Sequence, residues 1–301
     1  MDRRRFLQES AAAAGALVAG GLSWPAQADA AAALRFGYAA ITWGGDDPRA
    51  IDDIAALGFA GIQLRESAVR RWGDRPSDLA SLLAAHRLTL VALSSGSVTL
   101  DPAKEQETIA LHVSHARFVR QVGGLYLQVT DERPAGRDAS PDDYRRMGHL
   151  LTEIGKRTAD LGVTLGLHPH MGALSQAPSE VACVLDAADP RYLKLELDVA
   201  HYAMAGGNPV DAIRSYASRL LFLHIKDLES PAPGGGADSY RFVELGRGKV
   251  DVRGVFAALR DVRFDGWAVV EIDAVPDAAR TPKESAEISK RYLAGLGLIA
   301  F

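Results

Sequence analysis

The chain has 301 residues, is 24 % charged and 48 % hydrophobic, and carries a formal net charge of −4 with histidine neutral. These values are ordinary for a soluble globular protein and give no basic footprint for nucleic acid or an anionic membrane. A single cysteine, Cys183, excludes an intramolecular disulfide and a zinc site built from several thiolates. In the apolar run Val181–Leu185 it reads as a small buried hydrophobe.

The chain begins with an export pattern. Arg3, Arg4, Phe6 and Leu7 match a twin-arginine signal, followed by an apolar stretch from Ala11 to Leu22 and small-residue cleavage sites at Ala26-Gln27-Ala28 and Ala28-Asp29-Ala30. The stretch is too short and too rich in alanine and glycine for a stable membrane anchor. Residues 1–33 are therefore expected to be a signal peptide that directs the protein to the periplasm or the exterior. Residues 34–301 are expected to form one catalytic domain, close to the ~250 residues typical of one (β/α)₈ barrel.

Eight short apolar or alternating runs follow. They are Leu34–Tyr38, Gly61–Leu64, Leu88–Leu93, Leu125–Val129, Val163–Leu167, Leu193–Leu197, Leu220–Ile225 and Trp267–Ile272. Between them the apolar spacing is helical, as in Ile51, Ile54, Ala55 and Leu57, or Leu150, Leu151, Ile154 and Thr158. Strand–helix alternation implies a parallel sheet. Eight repeats favour an α/β fold closed as a (β/α)₈ TIM barrel over an open sheet, and no nucleotide-binding glycine motif stands at a strand end. Two connections are long: Asp131–Pro141, and the flexible-looking Glu229–Ser239 after the seventh strand.

In such a barrel, polar residues at the C-terminal ends of strands build the active site. Strand four ends with Gln128, Asp131 and Glu132, and strand five with His168 and His170. Strand six ends with Asp198 and His201, strand seven with His224, Lys226 and Asp227, and strand eight with Glu271 and Asp273. Four successive strand ends thus converge imidazole and carboxylate groups on one pocket. That donor set suits one divalent cation, with Mn²⁺, Co²⁺, Zn²⁺ or Fe²⁺ fitting better than Mg²⁺.

The chain resembles the xylose-isomerase-like sugar isomerase/epimerase superfamily of TIM barrels, and within it the inosose dehydratase-like members. The resemblance is carried by Ile41-Thr42-Trp43, Ala56–Leu64 (ALGFAGIQL), His168–Gly172 (HPHMG), Leu197–Gly206 (LDVAHYAMAG), Leu223–Leu228 (LHIKDL), Leu245–Leu259 and Phe264–Asp273 (FDGWAVVEID). It implies metal ligands at Asp198, His224 and Glu271, with His168 standing where the epimerases have a glutamate. Mn²⁺ is the first expectation for the metal. The chemistry implied is proton abstraction beside a carbonyl in a small polyhydroxylated, sugar-like substrate. The His-x-His form points to a lyase acting on a keto-sugar, keto-glycoside or keto-cyclitol by β-elimination, with isomerisation or epimerisation as the alternative. A non-catalytic carbohydrate-binding barrel is a third reading. His170, Lys226 and Glu271 are the candidate catalytic residues, and Trp43, Gln128 and His201 the candidate substrate contacts. A homo-oligomer stays open.

Overall fold

Each strand of this chain alternates residues that face the barrel axis with residues that face the surrounding helices, and the apolar runs follow that rule. A computed structural model describes residues 34–231, 236 and 239–300. The twin-arginine segment lies outside the described residues.

The strands are β1 (Arg35–Ala39), β2 (Gly61–Arg65), β3 (Thr89–Val98), β4 (Tyr126–Asp131), β5 (Thr164–Leu167), β6 (Leu193–Asp198), β7 (Leu220–Ile225) and, after a small hairpin, β10 (Trp267–Val270). They close an eight-stranded barrel in chain order, with β10 pairing β1, and every ladder is parallel. The expected (β/α)₈ fold is present. Strand three runs on to Val98, beyond the apolar run that announced it.

The principal helices are α1 (Asp47–Ala56), α2 (Ser67–Trp72), α3 (Pro76–Ala85), α4 (Glu105–Val122), α5 (Pro141–Ala159), α6 (Pro178–Ala187), α7 (Val199–Met204), α8 (Pro209–Ser215), α9 (Val252–Asp261) and α10 (Pro282–Gly295). Several start at an oxygen-bearing cap followed by proline, whose missing N–H is no loss in the first turn. Ser140-Pro141 with Asp143 and Thr281-Pro282 with Glu284 form such capping boxes. Among the described residues, no helix is long and apolar enough to cross a membrane.

The outward-facing strand residues join the helices in the main core, which includes Leu165, Leu167, Leu195, Leu197, Leu223, Ile225, Ala268 and Val270. The barrel interior holds a second apolar cluster with Val91, Phe222, Trp267 and Val269. Trp267 fits there because Gly61 lacks a side chain: a Cβ would lie 2.5 Å from both the indole and Val91. This floor closes the bottom of the barrel and leaves the C-terminal end open for chemistry.

Two sequence expectations change. Cys183 is exposed, because Val181, Val184 and Leu185 take the inward face of α6 and turn residue 183 outward. The segment after β7 is bounded by a hairpin. There β8 (Asp227–Glu229) pairs antiparallel with β9 (Arg241–Val243), and Leu228 lies opposite Phe242.

Candidate active site

Alternation along β6 and β7 decides which side chains reach the axis. In Leu195-Glu196-Leu197-Asp198 the leucines enter the outer core, which turns Glu196 and Asp198 inward. In Phe222-Leu223-His224-Ile225 the same rule turns His224 inward, and the register places it beside Asp198. His168 and Glu271 follow directly on β5 and β10.

Asp198 divides its carboxylate between two tasks. Oδ1 accepts the backbone N–H groups of Ala200 and His201 at 2.8 and 2.9 Å, capping α7. Oδ2 is buried without a hydrogen-bond partner and lies 3.5 Å from His224 Nδ1, which also lacks one. Glu271 Oε1 lies 3.4 Å from the same nitrogen. The far side of the ring is fixed: His224 Nε2 donates to Gln63 Oε1 at 2.7 Å, and Gln63 Nε2 donates to Gln128 Oε1 at 3.1 Å. Nδ1 is therefore the nitrogen turned towards the carboxylates, and a bound cation would displace the proton it carries.

Ligand atoms of His168, Asp198 and His224 all lie within 4.8 Å of one another. Buried polar atoms left without partners are costly, and two of them, Asp198 Oδ2 and His224 Nδ1, face each other beside Glu271. The two separations from His224 Nδ1, 3.5 Å to Asp198 Oδ2 and 3.4 Å to Glu271 Oε1, are each the length of one edge of a tetrahedron with ligand bonds of about 2.1 Å. The set fits a divalent transition ion.

The electrostatics agree. Burial alone would lower the pKa of His224, but Glu196, Glu271 and Asp198 hold it up to about 9. Burial opposes ionisation of Glu271, yet His224 and Lys226 bring its carboxyl down to about 2. Asp198 is also held well below the usual carboxylate range, against its own burial, by His201, Lys226 and His224. These groups are poised as a carboxylate cluster that attracts a cation.

Lys226 is wholly enclosed. Its Nζ donates to Glu271 Oε1 at 3.0 Å and Asp273 Oδ1 at 2.5 Å, and sits 3.8 Å from the ring centre of Phe242. Phe242 arrives from the hairpin and also covers His201, at 5.0 Å between ring centres. Glu271 and Asp273 stand between Lys226 and the cavity, so the lysine neutralises carboxylates and does not line the pocket as a free acid.

A cavity of about 590 Å³ opens above these groups, lined by Gln63, Gln128, His168, His170, His224 and Glu271 among others. Its rim carries Arg65, Glu66, Glu132 and Arg133. His170 lines the cavity, and its Nδ1 donates to the Met171 carbonyl at 2.7 Å, which leaves the Nε2 lone pair. Burial lowers its pKa, so the ring is neutral near pH 7.

The sequence-derived residues His168, His170, Asp198, His201, His224, Lys226, Glu271 and Gln128 are all brought to this end of the barrel. His201 is buried beneath His170, with ring centres 3.8 Å apart, and Phe242, so it backs the wall of the cavity and does not line it. Trp43 does not join the set. Its Nε1 donates to Asp53 Oδ2 at 3.0 Å and its ring packs edge-on against Tyr38, because the turn after β1 aims it at α1. Sequence reasoning missed Gln63, Glu196 and Phe242. The first two are polar residues at inward positions of apolar runs, a signal that could have been read; Phe242 lies past a glycine-rich segment and gave none.

A family model for the xylose isomerase-like TIM barrel matches residues 51–293. The chain belongs to the xylose isomerase-like TIM-barrel family. Relatives in this family include inosose dehydratases from Lacticaseibacillus casei, 24 % identical over 86 % of this chain and 96 % of the relative, and from Bacillus velezensis, 25 % identical over 86 % and 95 %. Among solved structures, the IolI protein with a bound zinc atom superposes with a TM-score of 0.74 at 17 % identity, covering 89 % of this chain and all (100 %) of that one. A probable 3-DHS dehydratase, AsbF from Bacillus anthracis, gives 0.71 at 18 % identity over 86 % and 98 %. The chain is thus an enzyme of the lyase and isomerase/epimerase superfamily, with a His/Asp cluster suited to a divalent metal.

Proposed function

We propose that the enzyme eliminates a β-oxygen substituent from a small keto-cyclitol or keto-glycoside. His168, Asp198, His224 and Glu271 would hold one divalent cation, Mn²⁺ in this proposal. When bound, it would polarise the substrate carbonyl and a neighbouring hydroxyl as a Lewis acid.

What carries the lyase reading is His170. Its Nδ1 is committed to the Met171 carbonyl, so the neutral ring presents Nε2 to the cavity as a base. His201 backs the ring. Nε2 takes the proton from the carbon beside the ketone. The electrons of that C–H bond form the carbon–carbon double bond, and the β carbon–oxygen bond breaks. The imidazolium then returns its proton to the departing oxygen, releasing water or an alcohol. One imidazole serves both steps, so no second carboxylate base is required on the strand-five side. The relatives named inosose dehydratase and the neighbour described as a probable 3-DHS dehydratase support loss of water.

The test is a keto-cyclitol carrying a β-hydroxyl, incubated with metal-loaded enzyme. A conjugated enone should appear in the ultraviolet, and His170→Ala should slow its formation by roughly 10²–10⁴-fold. Clean epimerised product with no enone would return the enzyme to the epimerase class.

A further inference from the structure

Glu196 takes no part in the elimination, yet it is the most deeply enclosed carboxylate of the site, with 0 % exposure. A leucine there would simply extend the packing of β6. Burying a carboxylate instead costs several kcal/mol unless its partners compensate, and both its oxygens meet only the two histidines of the candidate metal centre. Oε1 accepts the backbone N–H of His224 at 3.0 Å, where the β6–β7 register is irregular. Oε2 lies directly against Nδ1 of His168, and neither atom has another partner.

We propose that Glu196 is a positioning residue that fixes the tautomer of His168, so that Nδ1 carries the proton and Nε2 keeps the lone pair. A carboxylate can only accept, so the nitrogen it touches must be the protonated one. The backbone bond to His224 anchors Glu196 one strand step below Asp198 and directs Oε2 to its role beneath the ligands. The two histidines are then set in opposite senses. His224 donates from Nε2 to Gln63 and offers Nδ1, whereas His168 donates from Nδ1 to Glu196 and offers Nε2. Carboxylate partners of this kind orient ligand imidazoles and raise their basicity.

This inference rests on the metal-dependent reading, and cobalt(II) titration followed by visible absorption separates the two. Wild type should bind one Co²⁺; if it binds none, the metal-dependent reading itself fails. Glu196→Gln keeps the shape and the acceptor for His224, but its amide donates towards His168 and favours the wrong tautomer. It should bind Co²⁺ 10–100-fold more weakly while giving the wild-type spectrum at saturation. Unchanged affinity would overturn the inference, as would a saturated spectrum altered in band position and intensity, which would make Glu196 a ligand. Should the variant not fold, nitrogen-15 histidine spectra of zinc-loaded wild type decide the matter. His168 should show a protonated Nδ1 and a ligating Nε2, and the reverse assignment would overturn the inference.

Discussion

Two places in this molecule bury histidines, and they treat them in opposite ways. His224, inside the barrel, and His112, on the buried face of α4 outside it, are both essentially sealed from solvent. The pKa of His112 is lowered to about 4 by burial and by its neighbour His115. That of His224 is raised to about 9, because Glu196, Glu271 and Asp198 more than offset the same burial. The difference lies in what else is enclosed. His112 and His115 share one hydroxyl: Ser95 Oγ lies within hydrogen-bond distance of both Nδ1 atoms, at 2.7 Å and 2.8 Å. Around His224 the acids and bases are arranged so that several atoms stay unpaired and converge. Among the described residues, both groups of three or more metal-ligating side chains include His168, and neither includes His112 or His115. Buried histidine is therefore no mark of a functional site; unpaired donors aimed at one point are.

That contrast can be broken at either end. The largest effect belongs to the barrel site. Asp198→Ala or His224→Ala should lower kcat/KM by at least about 10³-fold, the scale expected when electrostatic stabilisation at the reacting centre is removed. Substrate turnover by either variant within tenfold of wild type would place the chemistry elsewhere.

The outer cluster should answer in stability alone. Ser95→Ala leaves two buried imidazole nitrogens without their shared partner, which costs about 1–3 kcal/mol in urea denaturation. It should leave kcat/KM within about twofold, since its energy lies in packing and hydrogen bonding. A large loss of activity without a loss of stability would join the two clusters functionally.

The smallest effect is a pH dependence. The native pKa of His112, about 4, lies below the ~6.5 of an unfolded histidine. Between those values the unfolded chain binds the additional proton. Its contribution to stability is therefore whole above pH 6.5 and is lost as the pH falls towards 4, with a slope of at most about 1.4 kcal/mol per pH unit. His112→Gln should remove that slope, as read from urea midpoints across the window. A slope unchanged in the variant would assign it to other groups.

The same contrast explains what was legible in the sequence. The eight strands were visible because the outward faces of β1–β7 and β10 are apolar and the runs are short. Strand three was read too short because Ser94–Ser97 continues it with small polar residues at the mouth of the cavity. The strand-end acids and histidines could be found by position alone. Glu196 was not, because within Leu193–Asp198 it resembles a stray polar residue until alternation places it beneath His168. Trp43 was misplaced for the converse reason. The motif containing it borders the site, but the indole N–H is satisfied ten residues on, at Asp53. Phe242 and the hairpin depend on a chain reversal through a glycine-rich segment, where no periodicity exists to read.

The central claim is that the convergent groups of β5, β6, β7 and β10 hold a catalytic divalent ion. Elemental analysis of the purified protein, paired with an elimination assay before and after chelation, tests it most directly. One transition ion per chain is expected, with activity abolished by chelator and restored by Mn²⁺. Protein that contains no metal, and whose activity chelator leaves untouched, would contradict the account.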